Sequence, residues 1–433
     1  MLNFRFFVLA FLVLTAVSGQ EVLTTEKAVA VALQNNYDLR LAKNNTEIAS
    51  LQAGLLNSGY LPTVSATGGI NYSDETQSVL FLDETFTSVD GAITESYNAS
   101  VTAEYVIFDG LVRQFTQKSN EQNLNLQETK EKQQIENTVI SVYEAFFNAA
   151  YQKHLLDNLQ LNVENSKDRL DRSQRKLKYG QGTKLEELNA QVDLNNDSIA
   201  LVDAKRSLNN LKRNLNVQLG REVVTDFAID TTVVFRPALE KETMVEKAGQ
   251  NNIQVRLVKE DVLLSELDIK VNKAQFLPKI SGSASYRWNE SKNPPTSFAL
   301  ENEAYGVNLG LSLRWNLFDG GNATRVKTAK IQKLNREIEL TRVKEQVMAD
   351  VLNAYENYDI AWFTLRTEQK NVTTNELNFS RSERQYGLGQ ITAIEYRQAQ
   401  INLLNARNNL ARSKYDLKIA ELNLLQLGGI LLE

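Results

Sequence analysis

Two long stretches without glycine or proline, each followed by a glycine-rich turn, constrain the fold of this chain most. They span residues 111–178 and, about 209 residues later, the matching region 322–386. The two turns carry the glycine pairs Gly180 and Gly182, and Gly387 and Gly389. Glycine accepts the left-handed backbone at a helix C-terminus, so each turn predicts a helix that stops and restarts. Two copies of one helical-hairpin tip predict an internally duplicated chain.

Composition and charge exclude several functional classes. The chain has 433 residues, a formal net charge of -5, no cysteine and one histidine. The lack of a basic excess argues against nucleic acid as a partner. Without cysteine there can be no disulfide, zinc–thiolate site, iron–sulfur cluster or cysteine nucleophile. His154 is the sole histidine, and the chain has no nucleophile–base pattern or cofactor loop, so we expect no enzyme activity, metal site or cofactor.

The N-terminus has the pattern of a secretory signal, which predicts a signal peptide over residues 1–19. Arg5 precedes the apolar run Phe6–Leu14, and small residues of a cleavage zone follow at 16–20. No cysteine follows that run, so we expect no N-terminal lipid anchor. No later apolar stretch approaches the roughly 20 residues of a membrane-spanning helix. The mature chain is therefore expected to be exported, and either soluble or a β-barrel.

A first repeat is predicted over residues 20–238. In chain order its elements are a helix at 23–60, strands at about 63–73 and 97–108, a helical hairpin at 111–219 and an extended piece at 231–235. Pro62 ends the first helix, and a Phe-Asp-Gly corner ending at Gly110 leads into the hairpin. An acidic segment at 73–96 is expected to be a loop between the strands. Leu156, Val163, Leu170 and Leu177 recur every seven residues, which is coiled-coil periodicity.

A second repeat is predicted over residues 239–433 and has the same order. Its elements are a helix at 244–275, strands at about 279–289 and 304–317, and a helical hairpin at 321–427. Leu277-Pro278 matches Leu61-Pro62, and a second Phe-Asp-Gly corner ends at Gly320. Ile394 and Ile401 mark the apolar seam of the last helix, with Asn408 as a polar interruption.

Each of the four predicted strands has one apolar and one polar face. Each has about 9–11 alternating residues, the length of a tilted strand that crosses a bilayer. The polar faces carry the charged residues Glu104, Arg287 and Arg314. This pattern predicts a lipid-facing side and a water-filled lumen. The alternative is a half-exposed sheet of a soluble protein, which alternates in the same way.

The strands and the long helices together predict a conduit built from several copies. Four strands cannot close a barrel, and open backbone edges are not tolerated in lipid, so a membrane-embedded chain must oligomerise. A helix over residues 111–178 would be on the order of 100 Å long. A barrel continued by a cylinder of such helices is a duct. The alternative is a non-transporting coiled-coil spacer or adaptor of the cell envelope.

The order of these motifs resembles the TolC-like outer-membrane efflux family. The resemblance covers the helix, Leu-Pro, two strands, Phe-Asp-Gly corner, long helix, glycine tip and returning helix, twice over. It implies a mixed α and β fold, a homotrimeric 12-stranded transmembrane β-barrel with four strands per chain, continued by a long helical coiled-coil barrel. It also implies contact with outer-membrane lipid, a periplasmic adaptor and an inner-membrane pump, in drug efflux, metal efflux or protein secretion.

The resemblance also assigns roles to the tips, which in the family receive the adaptor and narrow the tunnel. The implied docking residues are Tyr179, Gly180, Gly182, Tyr386, Gly387 and Gly389. The implied gate or constriction residues are Glu395, Gln398, Glu186 and Tyr386. Gln398 is neutral, and Ile391 stands where the family carries an arginine of the closing network. An acidic ring would therefore depend on Glu395. The alternative interpretation is that Glu395 is a solvated glutamate in the first turn of its helix, where the helix dipole favours a negative charge.

Overall fold

The computed structural model describes residues 22–433, so the predicted signal peptide lies outside the described residues. The first elements are β1 (Val22–Leu23), α1 (Thr25–Asn35), α2 (Tyr37–Ala53), β2 (Thr63–Leu80), β3 (Phe86–Phe108), α3 (Val112–Lys178) and α4 (Lys184–Gln218). They are followed by β4 (Ala228–Ile229), α5 (Lys241–Asn251), α6 (Ile253–Ala274), β5 (Lys279–Lys292), β6 (Glu301–Arg314), α7 (Gly320–Gly387) and α8 (Ala393–Leu427). Two helices, two strands, a long helix and a shorter helix thus follow one another twice.

The described chain divides into two compact units. The helical unit holds Lys132–Asn252, Gln346–Glu433 and the described residues up to Leu41, and the sheet unit holds Ala42–Glu131 and Ile253–Glu345. The core of the helical unit is apolar and includes the fully buried side chains of Leu23, Leu215, Phe227, Met244 and Leu424. Among residues 22–433, no helix combines the length and apolarity needed to cross a membrane.

The sheet unit contains one antiparallel sheet with the strand order β2-β3-β5-β6. Its first hairpin is longer than predicted, because pairing continues through most of the acidic segment that was expected to be a loop. β2 runs to Leu80 and β3 begins at Phe86. The extension is held by cross-strand hydrogen bonds such as that from Thr76 Oγ1 to Asp90 Oδ1, at 2.5 Å. The acidic side chains are tolerated in the strands because the ribbon is largely exposed.

Three other predicted strand positions differ from the structure. β5 continues three residues further than predicted, to Lys292, and β6 is shifted to 301–314. β6 ends at Arg314 because its partner there, Lys279, is the first residue of β5. In the connector the strand is β4, at Ala228–Ile229, which lies before the extended piece expected at 231–235 and pairs in parallel with β1.

The two helices predicted to precede the strands are each broken by an asparagine. Asn36 separates α1 from α2, and its Oδ1 accepts the N–H groups of Asp38 and Leu39 at 2.9 and 3.1 Å. Its Nδ2 donates to the carbonyl of Gln218, the last residue of α4, at 2.8 Å. Asn252 separates α5 from α6, and its Nδ2 donates to the carbonyl of Leu427, at the end of α8. At Asn36 one side chain thus caps the start of α2 and binds the end of α4, which explains the break there.

Candidate functional site

The first helix tip closes with the hydrogen bonds of a Schellman motif. The N–H of Gln181 donates to the carbonyl of Lys176 at 2.8 Å, and that of Gly180 donates to Leu177 at 3.0 Å. Gly180 has a φ of +70°, which an L-residue adopts only at an energetic cost. The sequence therefore ends α3 at this glycine.

The second tip has the same backbone pattern. Gln390 donates to the carbonyl of Gln385 at 2.9 Å, and Gly389 donates to Tyr386 at 3.1 Å. Gly389 has a φ of +73°. Because both glycines occupy the left-handed position of the same motif, Gly180 and Gly389 are structurally equivalent.

Both returning helices begin with a capping box. In α4 the hydroxyl of Thr183 accepts the N–H of Glu186, whose Oε2 accepts the N–H of Thr183. In α8 Thr392 and Glu395 make the same pair, and Glu395 Oε2 accepts both the N–H and the hydroxyl of Thr392, at 2.8 and 2.9 Å. These hydrogen bonds, the backbone one first, lower the pKa of the Glu395 carboxyl. Both tip glutamates are therefore structural capping residues whose charge stays exposed.

The two tip tyrosines have different environments. Tyr386 is 8% exposed and stacks on Tyr396, with ring centroids 4.9 Å apart and planes 7° apart. Lys176 Nζ lies 5.0 Å from the centroid of the Tyr386 ring. Tyr179, by contrast, is 73% exposed. When the tips are matched through their left-handed glycines, Leu177 takes the place of Tyr386, so the two tyrosines are not equivalent.

The remaining predicted tip residues lie at the surface of the tips. Gly182 is close-packed, since a Cβ there would lie 3.0 Å from the Cβ of Lys176. Gly387 is the last residue of α7, and apart from its chain neighbours and the nearby backbone of its own helix no described atom lies within 4 Å of a Cβ built on it. Gln398 is exposed, and its Nε2 donates to Asn402 Oδ1 one helical turn later, at 2.8 Å.

The sequence patterns did not predict a part-buried ion pair that lies close to the tips. The guanidinium of Arg397 in α8 binds both carboxylate oxygens of Asp197 in α4, at 2.7 and 2.8 Å. The hydroxyl of Ser166 in α3 donates to the same carboxylate at 2.5 Å. The positions of two of these residues in the sequence could have indicated the pair. Ser166 lies three residues after the predicted seam residue Val163, and Arg397 lies three residues after Ile394. A polar side chain at such a place in a heptad repeat faces the partner helices.

The polar seam continues along the same helices. Gln400 Nε2 donates to Asn162 Oδ1 at 2.7 Å, and both residues are buried. Asn158 Nδ2 donates to Asn408 Oδ1 at 2.8 Å, so the predicted polar interruption of the α8 seam has a partner in α3. Matched amides at seam positions specify register between helices.

In the sheet, strand register brings the predicted polar residues together on one face. Glu104 lies opposite Thr63 on one neighbour and Ser283 on the other. Arg287 lies opposite Ser100 and Gly306. Because paired residues point to the same side of a sheet, the small and polar residues of all four strands share one surface. Arg314 lies at the end of this surface, opposite Lys279.

The opposite face of the sheet is apolar and exposed. Its residues include Val64, Ile70, Val101, Tyr286, Val307, Leu309 and Leu311. Leu309 is 80% exposed and Leu311 is 74% exposed. A half-exposed sheet of a soluble protein would cover this face with a core. In the described chain the face is uncovered.

These features define a class of protein. A four-stranded sheet with a polar and an exposed apolar face, joined to two long helical hairpins with glycine tips, is the subunit architecture of outer-membrane efflux channels. A protein-family model with the description "Outer membrane efflux protein" matches residues 28–221 and 244–429 of this chain. The chain belongs to this outer membrane efflux protein family, whose members are channels of the outer membrane and not enzymes.

Relatives and solved structures agree with this assignment. Over 233 residues the chain is 24% identical to the outer membrane protein TolC of Vibrio cholerae, and this match spans 53% of each protein. Over 411 residues it is 23% identical to the alkaline protease secretion protein AprF of Pseudomonas aeruginosa, covering 93% of this chain and 83% of AprF. The fold is similar to the CmeC outer membrane channel of Campylobacter jejuni, with a TM-score of 0.78, 15% identity, and coverage of 94% and 86%.

Proposed function

We propose that the chain is one subunit of a homotrimeric export duct across the outer membrane and the periplasm. The exposed apolar face of the sheet is the observation that carries this proposal. An apolar surface of this kind needs a cover, and outer-membrane lipid can supply it, because β5 and β6 have 14 residues each and a tilted strand crosses a bilayer with about 9–11. The polar face, with Glu104, Arg287 and Arg314, then lines a water-filled lumen.

The trimer supplies the strands that one chain lacks. Three copies of the four-stranded sheet give a 12-stranded barrel, in which no backbone edge meets lipid. In this proposal residues 20–238 and 239–433 are two copies of one ancestral unit, and residues 1–19 are the signal peptide that directs export. The recurrence of the same element order supports the duplication.

The helix tips are proposed as the periplasmic entrance and the contact with other components. A periplasmic adaptor would bind the exposed tip surface around Tyr179, Gly182 and Gly387, and an inner-membrane pump would deliver the cargo. The family membership and the exposure of Tyr179 and Gly387 support this assignment. The duct itself would be passive, because it carries no cofactor loop or catalytic pattern in its sequence.

The gate is proposed to be a ring of three Glu395 carboxylates, with Gln398 one turn further along α8. Three negative charges at a narrow opening focus a negative potential, which favours cations. Glu395 uses Oε2 for its capping box, and its lowered pKa keeps the carboxylate charged at neutral pH. Tyr386 contributes by packing, because it supports the start of α8 through Tyr396.

Conductance in planar lipid bilayers tests the duct and its ring. We expect the purified protein to form channels with a cation preference that falls in Glu395→Gln. Glutamine retains the capping-box hydrogen bond, so this change removes the charge without removing the cap. Glu383→Gln is the matched control, since it removes an exposed carboxylate near the end of α7 that belongs to neither capping box. Unchanged selectivity in Glu395→Gln would contradict the ring, and absence of channels would contradict the duct.

A need for detergent would distinguish the duct from a non-transporting spacer. A spacer or adaptor would fold as a monodisperse protein in plain buffer. We expect the mature protein to require detergent or lipid, because the apolar face of β6 is exposed. Light scattering of the protein refolded with and without detergent separates the two cases.

A further inference from the structure

The strand ends next to the two Phe-Asp-Gly corners surround a cavity in the sheet unit. Its volume is about 580 Å³, which lies within the range of small-molecule sites. It is lined by residues of the polar sheet face, among them Glu104, Lys279 and Arg314, and by the corner residues Asp109 and Asp319. All of these residues belong to the sheet unit, so the cavity is a feature of one compact part of the chain.

Two of the basic residues that line the cavity are bound to acidic residues of the corners. Arg113 Nε lies 3.1 Å from Asp109 Oδ2, and Arg113 Nη1 donates to the carbonyl of Gly59. Arg325 Nη2 lies 3.5 Å from Asp319 Oδ2. The charge of each of these arginines is therefore compensated at its own corner.

The other two basic residues of the cavity, Lys279 and Arg314, have no such compensation. They lie directly opposite each other at the end of the β5–β6 pair, and both are exposed. Opposite side chains have Cβ atoms about 4.5–5.5 Å apart, and like charges at such positions are destabilising. Within residues 22–433, neither of them forms an ion pair with a carboxylate. Two neighbouring positive charges are thus left unpaired on the cavity wall.

Glu104 lies on the same sheet face but at a different level. It is opposite Ser283, four residues further along β5 than Lys279. Four residues of a strand span about 13 Å. The carboxylate of Glu104 therefore lies apart from the lysine–arginine pair, and the place beside that pair is free for an anion from outside the chain.

The first hairpin does not repeat this like-charge pair. Thr63 and Lys279 are the first residues of β2 and β5, and Glu104 and Arg314 each precede the corner glycine by six residues. These positions correspond in the two halves of the chain, and in the first half they form the pair Thr63–Glu104. The lysine–arginine pair is therefore specific to the second hairpin and does not follow from the duplicated strand pattern.

We propose that Lys279 and Arg314 bind an anionic group of the exported cargo, either a carboxylate or a phosphate. An anion between the two side chains removes their repulsion, and the planar guanidinium of Arg314 can donate two parallel hydrogen bonds to either group. In a trimer three such sites surround the lumen where the sheet meets the long helices. This inference rests on the proposed function, because the polar face meets cargo only where it lines a duct.

Calorimetric titration of the purified protein in non-ionic detergent tests the site, with pyrophosphate and citrate as the two probes. We expect saturable binding of one anion per chain, weakened about tenfold or more in Lys279→Gln with Arg314→Gln, because hydrogen bonds between charged groups are lost. Binding of either probe supports the site and identifies the group that it accepts. The exchange variant Lys279→Arg with Arg314→Lys retains both charges and should still bind.

Arg287→Gln is the matched control, since Arg287 lies on the same polar face, opposite Ser100 and Gly306, but outside the cavity. We expect it to bind the probes like the wild type. An equal loss of binding in Arg287→Gln would show a general effect of lumen charge and overturn the site. Unaltered circular dichroism and mass in detergent show that each variant is folded.

Conductance in planar bilayers separates failure of the site from failure of the duct. A wild type that forms channels but binds neither probe overturns the anion site and leaves the duct standing. A wild type that binds a probe but forms no channel overturns the duct and, with it, the assignment of the bound anion to exported cargo.

Discussion

At the second tip, Glu395 accepts two hydrogen bonds from Thr392 through a single oxygen. Its pKa is lowered from the ordinary value of 4.5, first by the backbone N–H of Thr392 and then by its hydroxyl. A lowered pKa means that the folded tip favours the charged form. The stability contributed by this group is therefore present above pH 4.5 and is lost as the pH falls through the lowered pKa.

The first prediction concerns the pH dependence of the proposed gate. Cation preference should disappear as the pH falls and the Glu395 carboxylates take up protons, and the hydrogen bonds from Thr392 should delay this loss by lowering the pKa of Glu395. Thr392→Val removes the hydroxyl and should move this loss to higher pH. Reversal potentials measured between pH 7 and pH 3 test the shift, with Thr183→Val in the other tip as control. Identical pH profiles for the wild type and Thr392→Val would contradict the proposed role of Glu395.

The second prediction separates the two tip tyrosines. Tyr386 is buried against Tyr396, so Tyr386→Ala should cost about 3–5 kcal/mol of local stability and expose the tip to protease. Tyr179 is exposed, so Tyr179→Ala should change stability by less than about 0.5 kcal/mol. Limited proteolysis with mass mapping measures both. A protease-resistant tip in Tyr386→Ala would show that its stacking is dispensable.

At the scale of the elements, the hairpins are joined by charged and amide groups rather than by apolar residues alone. Asp197 and Ser166 are buried, and Arg397 completes their hydrogen bonds from a third helix. A buried pair of this kind is costly to break from one side, because the remaining charge is left without a partner. The pair therefore specifies how α3, α4 and α8 align.

The third prediction follows from this pair. Arg397→Met should destabilise the tip-proximal part of α8 by about 3–5 kcal/mol, and adding Asp197→Leu should recover most of the loss. Arg407→Met is the control, because the Arg407–Glu376 pair is exposed and should contribute less than about 1 kcal/mol. Hydrogen exchange of α8 peptides measures each variant. Equal exchange in Arg397→Met and Arg407→Met would contradict the assignment.

At the scale of the whole molecule, a single chain leaves two strand edges and an apolar face without partners among its described residues. Edges of this kind are normally blocked by charge, proline or cover. Here the edge strands are 18 and 14 residues long. The chain is therefore built to complete its sheet with further strands.

The fourth prediction tests the exposed apolar face of the sheet. Leu309 is 80% exposed on that face, so Leu309→Arg should reduce insertion into lipid vesicles, because a charge on the lipid side of a barrel strand costs about 2–4 kcal/mol at the bilayer centre. Asn308→Arg, on the polar face of the same strand, is the control and should insert like the wild type. Vesicle flotation measures the inserted fraction, and equal insertion of Leu309→Arg and Asn308→Arg would contradict a lipid-facing side.

Short-range patterns determined much of this protein from its sequence alone. Glycine at a helix stop and alternation in a strand act over a few residues, so the tips at Gly180 and Gly389 and the polar face with Glu104 were predictable. The glycine-free stretches likewise predicted the two long helices.

Only the tertiary structure decided features that depend on contacts between distant residues. The break at Asn36 needs a carbonyl 182 residues away, and the ion pair of Asp197 needs an arginine 200 residues away. The burial of Tyr386 depends on a facing helix, which local sequence does not encode. Local propensity selects which elements form, whereas hydrogen bonds and packing between remote segments decide where they break, how far they extend and which side chains they bury.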